Sequence, residues 1–250
     1  MAHPFNVVFA LYPRVTQLDF TGPLEVLARL PGARVVLAAS TPGELTCEGG
    51  LRLAGLEALA AVSECDLLCV PGGFGCNEAM ADAAYLEALR RLAARAQYLT
   101  SVCTGSLLLG AAGLLQGRRA ACHWAFRELL AHFGAIPDAG RVVRDGNLIT
   151  GGGVTAGIDM ALALAAEIAG RDAAEAIGLG LEYAPEPPFG AGRPELARPE
   201  VLAAVRARFE AVWPERLAAV RRAAAALPGR RSLPPNASRS AAPSDTLSGP

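Results

Sequence analysis

Residues 99–115 read LTSVCTGSLLLGAAGLL, and this stretch decides the fold. A short segment with β-branched residues ends at Cys103, and a segment rich in Leu, Ala and Gly follows it. The first part is typical of a buried strand, and the second is typical of a helix that begins directly after the strand. In α/β proteins the ends of the parallel strands are where ligands bind. Cys103 is therefore either a nucleophile at such an end or one more buried sulfur.

Strand and helix patterns alternate along the rest of the chain. The sequence predicts strands at residues 6–11, 34–39, 65–70 and 98–102, and a hairpin around Asp145-Gly146. It predicts helices that begin at Pro23 and that cover residues 82–96, 104–115, 123–133, 154–169 and 199–227. Residues 12–23 are predicted to form a loop. This alternation favours one α/β domain over residues 1–227, with a mainly parallel sheet and helices on both faces.

The composition argues against several classes of function. The chain is 52% hydrophobic and 19% charged, with a formal net charge of −1. It has no basic surplus to hold nucleic acid and no apolar run of about 18 residues to span a membrane. The opening segment lacks the basic region of a signal peptide, so a cytoplasmic protein is expected. Lysine is absent from the sequence, which excludes a Schiff-base mechanism. Residues 228–250, rich in Pro, Ser and Ala, are predicted to be a disordered tail.

Six cysteines are scattered along the chain, which suits a reducing compartment. They form no CxxC motif and no zinc-type spacing with His, so no metal site is expected. Cys103 differs from the others because it is expected at a helix N-terminus, where backbone N–H groups and the helix dipole lower the pKa of a thiol. We therefore expect a reactive thiolate at Cys103 and inert, buried thiols at Cys47, Cys65, Cys69, Cys76 and Cys122.

Two other predicted loops carry candidate functional groups. Asp19 lies between apolar neighbours in QLDFTGPLEVL, and a carboxyl group in an apolar cleft resists ionisation and can exchange a proton with a thiol. The alternative role is a helix cap, for which Thr21 is better placed. In the PGG sequence, the N–H groups of Gly72 and Gly73 could face a developing negative charge. The alternative there is an ordinary turn between a strand and a helix.

A third Gly-rich stretch, TGGGVTAGID, covers residues 150–159. It lacks the spacing of a dinucleotide-binding loop and the Lys of a phosphate-binding loop, which argues against a nucleotide ligand. Gly153 and Val154 are candidates for binding the substrate or an oxyanion. His123 and Trp124 either line the same pocket or have a structural role.

Several long motifs occur in the same order as in a known group of proteins: LDFTGPLEVL, DLLCVPGG, YLTSVCTGSLLLGAAGLLQGRRAACHW, VVRDGNLITGGGVTAGIDMALALAAE and LEYAPEPPF. Over residues 5–219 the chain resembles the ThiJ/PfpI superfamily, and within it the bacterial isocyanide hydratases. The resemblance implies a flavodoxin-like, glutamine-amidotransferase-like α/β sandwich and a homodimer. It also implies that an isocyanide and water are the substrates, an N-substituted formamide is the product, and no metal or organic cofactor is needed.

The resemblance assigns three catalytic positions. The nucleophile of the family falls on Cys103, its acid on Asp19, and the hydroxyl residue after the nucleophile on Thr104. The protease-like branch of the superfamily has His at the position of Thr104, so the resemblance argues against peptidase activity. The branch related to the Parkinson's-disease protein uses a Glu where this chain uses Asp19, which argues against glyoxalase-type activity.

The competing interpretation is a non-catalytic sensor. The sensor half of AraC-type regulators shares much of SVCTGSLLLGAAGLLQGRRAACHW, but it continues into a helix-turn-helix domain. After Pro199 only one helix and a polar tail are predicted here, which favours the enzyme. In a sensor, Cys103 would bind a ligand or be oxidised without turnover. Chaperone or deglycase activity rests on analogy within the superfamily alone.

Overall fold

A sheet of eight strands organises residues 3–227, the part of the chain that this computed structural model describes. The strands, in sheet order, are β3 (Gly43–Thr46), β4 (Arg52–Ala58), β2 (Ala33–Ala39), β1 (Phe5–Leu11), β5 (Leu67–Val70), β6 (Tyr98–Val102), β10 (Leu148–Gly151) and β9 (Val142–Asp145). The six inner strands are parallel, and β3 and β9 pair antiparallel to their neighbours at the two edges. A separate short pair consists of β7 (Arg119–Ala120) and β8 (Ile136–Pro137). The predicted tail, residues 228–250, lies outside the described residues.

Helices cover both faces of the sheet. They are α1 (Gln17–Leu27), α2 (Cys76–Ala79), α3 (Ala83–Ala93), α4 (Gly105–Ala111), α5 (Ala156–Ala169), α6 (Arg171–Gly180) and α7 (Pro199–Ala225). Helices α1, α5 and α6 pack together as one layer, whereas α2, α3, α4 and α7 pack together as another. Short 3₁₀ helices lie at Glu48–Gly50, Leu59–Ala61 and Arg127–Phe133. The predicted α/β architecture, with its hairpin at β9 and β10, is confirmed. No helix within residues 3–227 has both the length and the apolar character needed to cross a membrane.

Strands β1 and β5 are buried because their sequences are almost entirely apolar. In β1 the residues from Val7 to Leu11 are 0% exposed, and all four residues of β5 are buried. Parallel strands covered on both faces have such continuous apolar sequences, and each fully buried large side chain contributes about 1.5–3 kcal/mol. Strands β1, β5, β6 and β10 are adjacent and parallel. The loops after their carboxyl ends therefore meet at one edge of the sheet.

The first helix begins earlier than the sequence indicated. Residues 12–23 were expected to be a loop with Thr21 as the cap, but α1 begins at Gln17 and includes Pro23. Thr16 has the extended backbone of an N-cap residue, and the Thr21 hydroxyl donates to the Gln17 carbonyl oxygen at 3.0 Å. The prediction was wrong because it placed Pro23 in the first turn, where Pro is best tolerated, whereas Pro23 lies inside α1. Asp19 consequently lies in the first turn of α1.

Other elements differ from the prediction at their ends. Helix α4 stops at Ala111, and Gly113 adopts a left-handed φ of 79° shortly afterwards. The helix predicted at residues 123–133 is a 3₁₀ helix that covers only its second half. The antiparallel pair β3–β4 was not predicted. Helix α7 matches its predicted span of residues 199–227 within two residues.

The turn after β6 requires close approach between two backbones. A Cβ atom added at Gly105 would lie 2.0 Å from the carbonyl oxygen of Val70. We predict that Gly105→Ala lowers the free energy of unfolding by at least about 2 kcal/mol, because the backbone of β5 cannot move away without breaking the sheet. Urea denaturation of the purified variant measures this change.

Gly180→Ala is the matched control. Gly180 ends α6, and an added Cβ there meets no atom within 4 Å. Its stability should change by less than about 1 kcal/mol, in the stabilising direction. Equal effects of the two substitutions would contradict the steric explanation.

Candidate active site

Cys103 lies on a strained turn between β6 and α4. Its φ of 59° is left-handed, which costs a non-glycine residue on the order of 1–3 kcal/mol. The turn is held by the Cys103 N–H, which donates to the carbonyl oxygens of Gly151 at 3.1 Å and Gly152 at 2.7 Å. The side chain is 6% exposed. The expected position of Cys103, directly before a helix at the end of a central strand, is confirmed.

Asp19 approaches Cys103 from the first turn of α1. The residue is 0% exposed, and its Oδ2 accepts a hydrogen bond from the Gly72 N–H at 2.9 Å. Burial raises the pKa of Asp19 to about 7, although the Gly72 N–H and the Cys103 side chain each lower it in part. Among residues 3–227 no group donates a well-formed hydrogen bond to Oδ1. The expectation of a carboxyl group that resists ionisation is therefore confirmed.

The Cys103 thiol has the opposite shift from the one expected. Burial raises the pKa of Cys103 well above its ordinary value, and the neighbouring Asp19 and Cys122 raise it further. The Thr104 N–H lowers it only in part. The prediction of a resting thiolate was wrong, because the loss of water around the sulfur outweighs the N-terminus of a helix that is 7 residues long. The resting site pairs a thiol with a carboxyl group that titrates near neutrality.

The two glycines of the PGG sequence hold the neighbouring functional groups in place. The Gly72 N–H binds Asp19, and the Gly73 N–H donates to the Thr104 hydroxyl oxygen at 3.0 Å. A Cβ atom added at Gly72 would lie 2.5 Å from the Thr104 nitrogen and 2.8 Å from Asp19 Oδ2. Only glycine fits between these groups. Both N–H groups are thus occupied within the protein, rather than free to face a developing charge.

A cavity of about 580 Å³ adjoins the Cys103 turn. Gly153 and Val154 line it together with Gly152, whose carbonyl oxygen accepts the Cys103 N–H. The N–H groups of Gly153 and Val154 donate to no residue within 3–227. Cys103 and Asp19 are not part of the lining, so the cavity reaches the backbone of the turn and stops short of the buried pair. The structure therefore brings Cys103, Asp19, Thr104, Gly72 and Gly73 together and places Gly153 and Val154 beside them.

His123 and Trp124 also line this cavity, one of the two roles open to them from the sequence. Burial, and then the charge of Arg216, lowers the pKa of His123 to about 4. His123 Nδ1 accepts the Ala125 N–H at 3.3 Å, which assigns the ring proton to Nε2. A neutral histidine of this kind, packed at a tilt against the rings of Trp124, Phe126 and Phe209, forms part of the wall and is poorly suited to exchange protons near pH 7. Within residues 3–227 no group of three or more His, Cys, Asp or Glu could hold a metal ion.

Sequence reasoning missed Arg216. This arginine of α7 is 1% exposed, and its Nη2 donates to the carbonyl oxygen of Gly73 at 3.4 Å. Its guanidinium carbon lies 5.0 Å above the centre of the Phe126 ring. The signal that could have found it is helical spacing, because Arg216 follows Phe209, Val212 and Trp213 on the apolar stripe of α7.

Comparison with known proteins places the chain in a family. A family model described as the DJ-1/PfpI family matches residues 6–167, more than half of the chain. The chain belongs to the DJ-1/PfpI family. This family assignment agrees with the resemblance that the sequence motifs indicated.

Individual relatives show how far the similarity extends along the chain. The isonitrile hydratase of Pseudomonas putida is 50% identical over 222 residues, which cover 89% of this chain and 97% of that protein. A crystal structure of a ThiJ/PfpI family protein from Pseudomonas syringae is 39% identical with a TM-score of 0.83, covering 88% of this chain and 90% of that one. The transcriptional regulator CdhR of Pseudomonas aeruginosa is 32% identical over 171 residues, covering 65% of this chain and half of the regulator.

The raised pKa of Asp19 makes the stability of the fold depend on pH. Since the carboxyl pKa is about 7 in the folded protein and about 3.9 in an unfolded chain, folding favours the protonated form. This contribution is fully present below pH 4 and is lost as the pH rises to about 7. We predict that the unfolding free energy of the wild type, relative to Asp19→Asn, falls by roughly 2.5 kcal/mol between pH 5 and pH 8.

Urea denaturation of both proteins across this pH range measures the effect. Asp172→Asn, on the exposed surface of α6, controls for the general replacement of a carboxylate by an amide. A constant difference between wild type and Asp19→Asn from pH 5 to pH 8 would show that burial does not raise the pKa of Asp19.

Proposed function

We propose that this protein is an isonitrile hydratase, which adds water to an isocyanide, R–N≡C, and releases an N-substituted formamide. The observation that carries the proposal is the position of Asp19, which is fully buried, is held by the Gly72 N–H at 2.9 Å and lies beside the turn that carries Cys103 and Thr104. The 50% identity to the Pseudomonas putida hydratase, over nearly the whole of that enzyme, supports the same reaction class.

The chemistry of an isocyanide matches a thiol–carboxyl pair. The terminal carbon of R–N≡C must gain both a nucleophile and a proton, and both bonds form at the same atom. Cys103 supplies the sulfur, and Asp19 can carry the proton because its pKa of about 7 lies near the working pH. Since the pKa of the Cys103 thiol is raised, sulfur attack and proton removal have to occur together.

In the first half of the reaction the Asp19 carboxylate takes the thiol proton while the Cys103 sulfur bonds to the terminal carbon. Asp19 then delivers that proton to the same carbon, which gives the thioimidate R–N=CH–S–Cys103. No atom leaves, and the carboxylate is regenerated. We assign this transfer to Oδ1 of Asp19, which has no competing hydrogen bond within residues 3–227.

In the second half water attacks the thioimidate carbon, and its proton passes through Asp19 to the nitrogen. The tetrahedral intermediate R–NH–CH(OH)–S–Cys103 collapses with cleavage of the carbon–sulfur bond. The hydroxyl proton returns to sulfur, and R–NH–CHO is released. We assign the unoccupied N–H groups of Gly153 and Val154 to binding the oxygen of this intermediate, because they line the cavity beside the turn.

The burial of Cys103 suits the shape of this substrate. The isocyanide group is a thin, linear rod that can reach a side chain that is 6% exposed, while its R group occupies the adjoining cavity of about 580 Å³. Thr104 supports the site through its N–H, which lowers the pKa of the Cys103 thiol in part, and its hydroxyl group is held by Gly73. The homodimer implied by the sequence resemblance stays a prediction.

We predict that Cys103→Ala abolishes formamide production from phenyl isocyanide. The wild type should also show, by mass spectrometry after rapid quenching, a substrate-derived adduct on Cys103. Cys65→Ala, which removes another buried cysteine near the opposite end of β5, should keep wild-type turnover. Turnover by the Cys103→Ala protein would refute the covalent mechanism.

The pH dependence of kcat/KM provides a second prediction. At low pH Cys103 and Asp19 each carry a proton. The reactive form of the pair has lost one of these two protons, and this loss occurs with a pKa of about 7. We therefore expect kcat/KM for phenyl isocyanide to rise with pH and to level off above about pH 7. An activity that is flat between pH 5.5 and pH 8 would contradict the role of Asp19.

The alternative function is a cysteine-based ligand or redox sensor, and the match to the regulator CdhR is the observation that favours it. This alternative predicts binding of an isocyanide or oxidation of Cys103 without release of formamide. The formamide assay on the wild type therefore separates the two functions directly.

A further inference from the structure

Arg216 of α7 is a buried arginine beside the Gly72–Gly73 loop of the candidate active site, and it has no charged partner within residues 3–227. Arg216 is 1% exposed, and within residues 3–227 no carboxylate forms an ion pair with it. Its Nε and Nη1 atoms are buried and have no hydrogen-bond partner there. A charge taken out of water in this way destabilises the fold unless another interaction compensates for it.

The contacts of Arg216 lead to the loop that holds the catalytic groups. Nη2 donates to the Gly73 carbonyl oxygen at 3.4 Å, and the same oxygen accepts the Cys76 N–H at 3.3 Å. The N–H of Gly73 holds the Thr104 hydroxyl group at 3.0 Å. Directly before Gly73 in the chain, Gly72 holds Asp19.

We propose that Arg216 is a positioning residue of the active site, which fixes the Gly72–Gly73 loop and thereby the placement of Asp19 and Thr104. The proposal rests on the proposed hydratase function for its kinetic consequences. Arg216 reaches the loop from α7, which lies beyond residues 6–167 matched by the family model. The C-terminal helix is thus part of the active-site architecture and not only a cover for the sheet.

The surroundings of Arg216 explain how the cation is tolerated and directed. The guanidinium lies over the face of Phe126, and Trp213 stacks on the same ring with centroids 6.0 Å apart. Cation–π attraction favours this position and holds the guanidinium plane in one orientation. An apolar side chain would fill the space without an unpaired charge, but it could not donate to the Gly73 carbonyl. The arrangement therefore fits a directional role better than simple packing.

The test compares Arg216→Met and Arg216→Lys with the wild type. Arg222→Met, on the exposed surface of the same helix, is the control for the loss of an arginine from α7. We expect roughly a 10- to 100-fold loss of kcat for phenyl isocyanide in Arg216→Met, with little change in KM, because misplacement of catalytic groups acts on the chemical step. Arg216→Lys should retain part of the activity, since an ammonium group can still donate to Gly73.

A second readout does not depend on hydratase activity. The rate of Cys103 alkylation by iodoacetamide, followed by mass spectrometry, reports the ionisation of the Cys103–Asp19 pair. The hydrogen bond from the Gly72 N–H lowers the pKa of Asp19. If the Gly72–Gly73 loop is displaced in Arg216→Met and this bond weakens, the pKa of Asp19 should rise. The pH at which the alkylation rate begins to increase should then be higher than in the wild type. This measurement remains decisive if the wild type hydrates no isocyanide, so the two proposals can fail separately.

The proposal is overturned if Arg216→Met folds and keeps both the wild-type kcat and the wild-type alkylation profile. A variant with a lower melting temperature and otherwise unchanged values would give Arg216 a structural role only. If Arg216→Met does not fold, Arg216→Lys decides the question by the same two measurements. The proposal expects an intermediate loss in both, because an ammonium group lacks the planar fork of donors of the guanidinium, and wild-type values in both would overturn it.

Discussion

The site depends on one arrangement, in which the Asp19 carboxyl group is buried beside the turn that carries the Cys103 thiol. Asp19, in the first turn of α1, and Cys103, in the turn after β6, are far apart in sequence, and they come together because β1 and β6 flank β5 in one parallel sheet. Burial keeps protons on both groups to higher pH than usual. The glycines around them allow the backbones to approach closely enough for this arrangement to exist, as the space at Gly72 demonstrates.

The features predicted correctly from the sequence are those determined by the local order of apolar and polar residues. Apolar strands alternating with helices indicate a parallel sheet, and the end of such a strand identifies Cys103 as the residue at its edge. The first six residues of α1 were missed because Pro23 suggested the start of the helix, whereas the helix begins at Gln17 and continues through Pro23. The thiol pKa was misjudged for a similar reason, since desolvation depends on neighbours that are distant in sequence.

Arg216 marks another limit of sequence reasoning. Its position on the apolar stripe of α7 can be recognised from helical spacing, but a charged residue there has several ordinary explanations, such as a solvated end or an ion pair. Only the folded chain brings it against Phe126 and Gly73. The roles of Gly72 and Gly73 also depend on the folded chain. The sequence suggested that their N–H groups face a developing negative charge, whereas in the structure they donate to Asp19 and to the Thr104 hydroxyl oxygen.

A buried thiol with a raised pKa has a consequence for selectivity. A free thiolate reacts with many electrophiles and oxidants, whereas a protonated thiol reacts readily only when its proton is removed during attack. In the proposed mechanism Asp19 removes that proton during attack and delivers it to the substrate, because the carboxyl group is 0% exposed and is not in contact with bulk water. An electrophile that accepts the nucleophile and the proton on one atom satisfies both requirements at once. The terminal carbon of an isocyanide is such an atom, whereas addition to a carbonyl group places the nucleophile on carbon and the proton on oxygen.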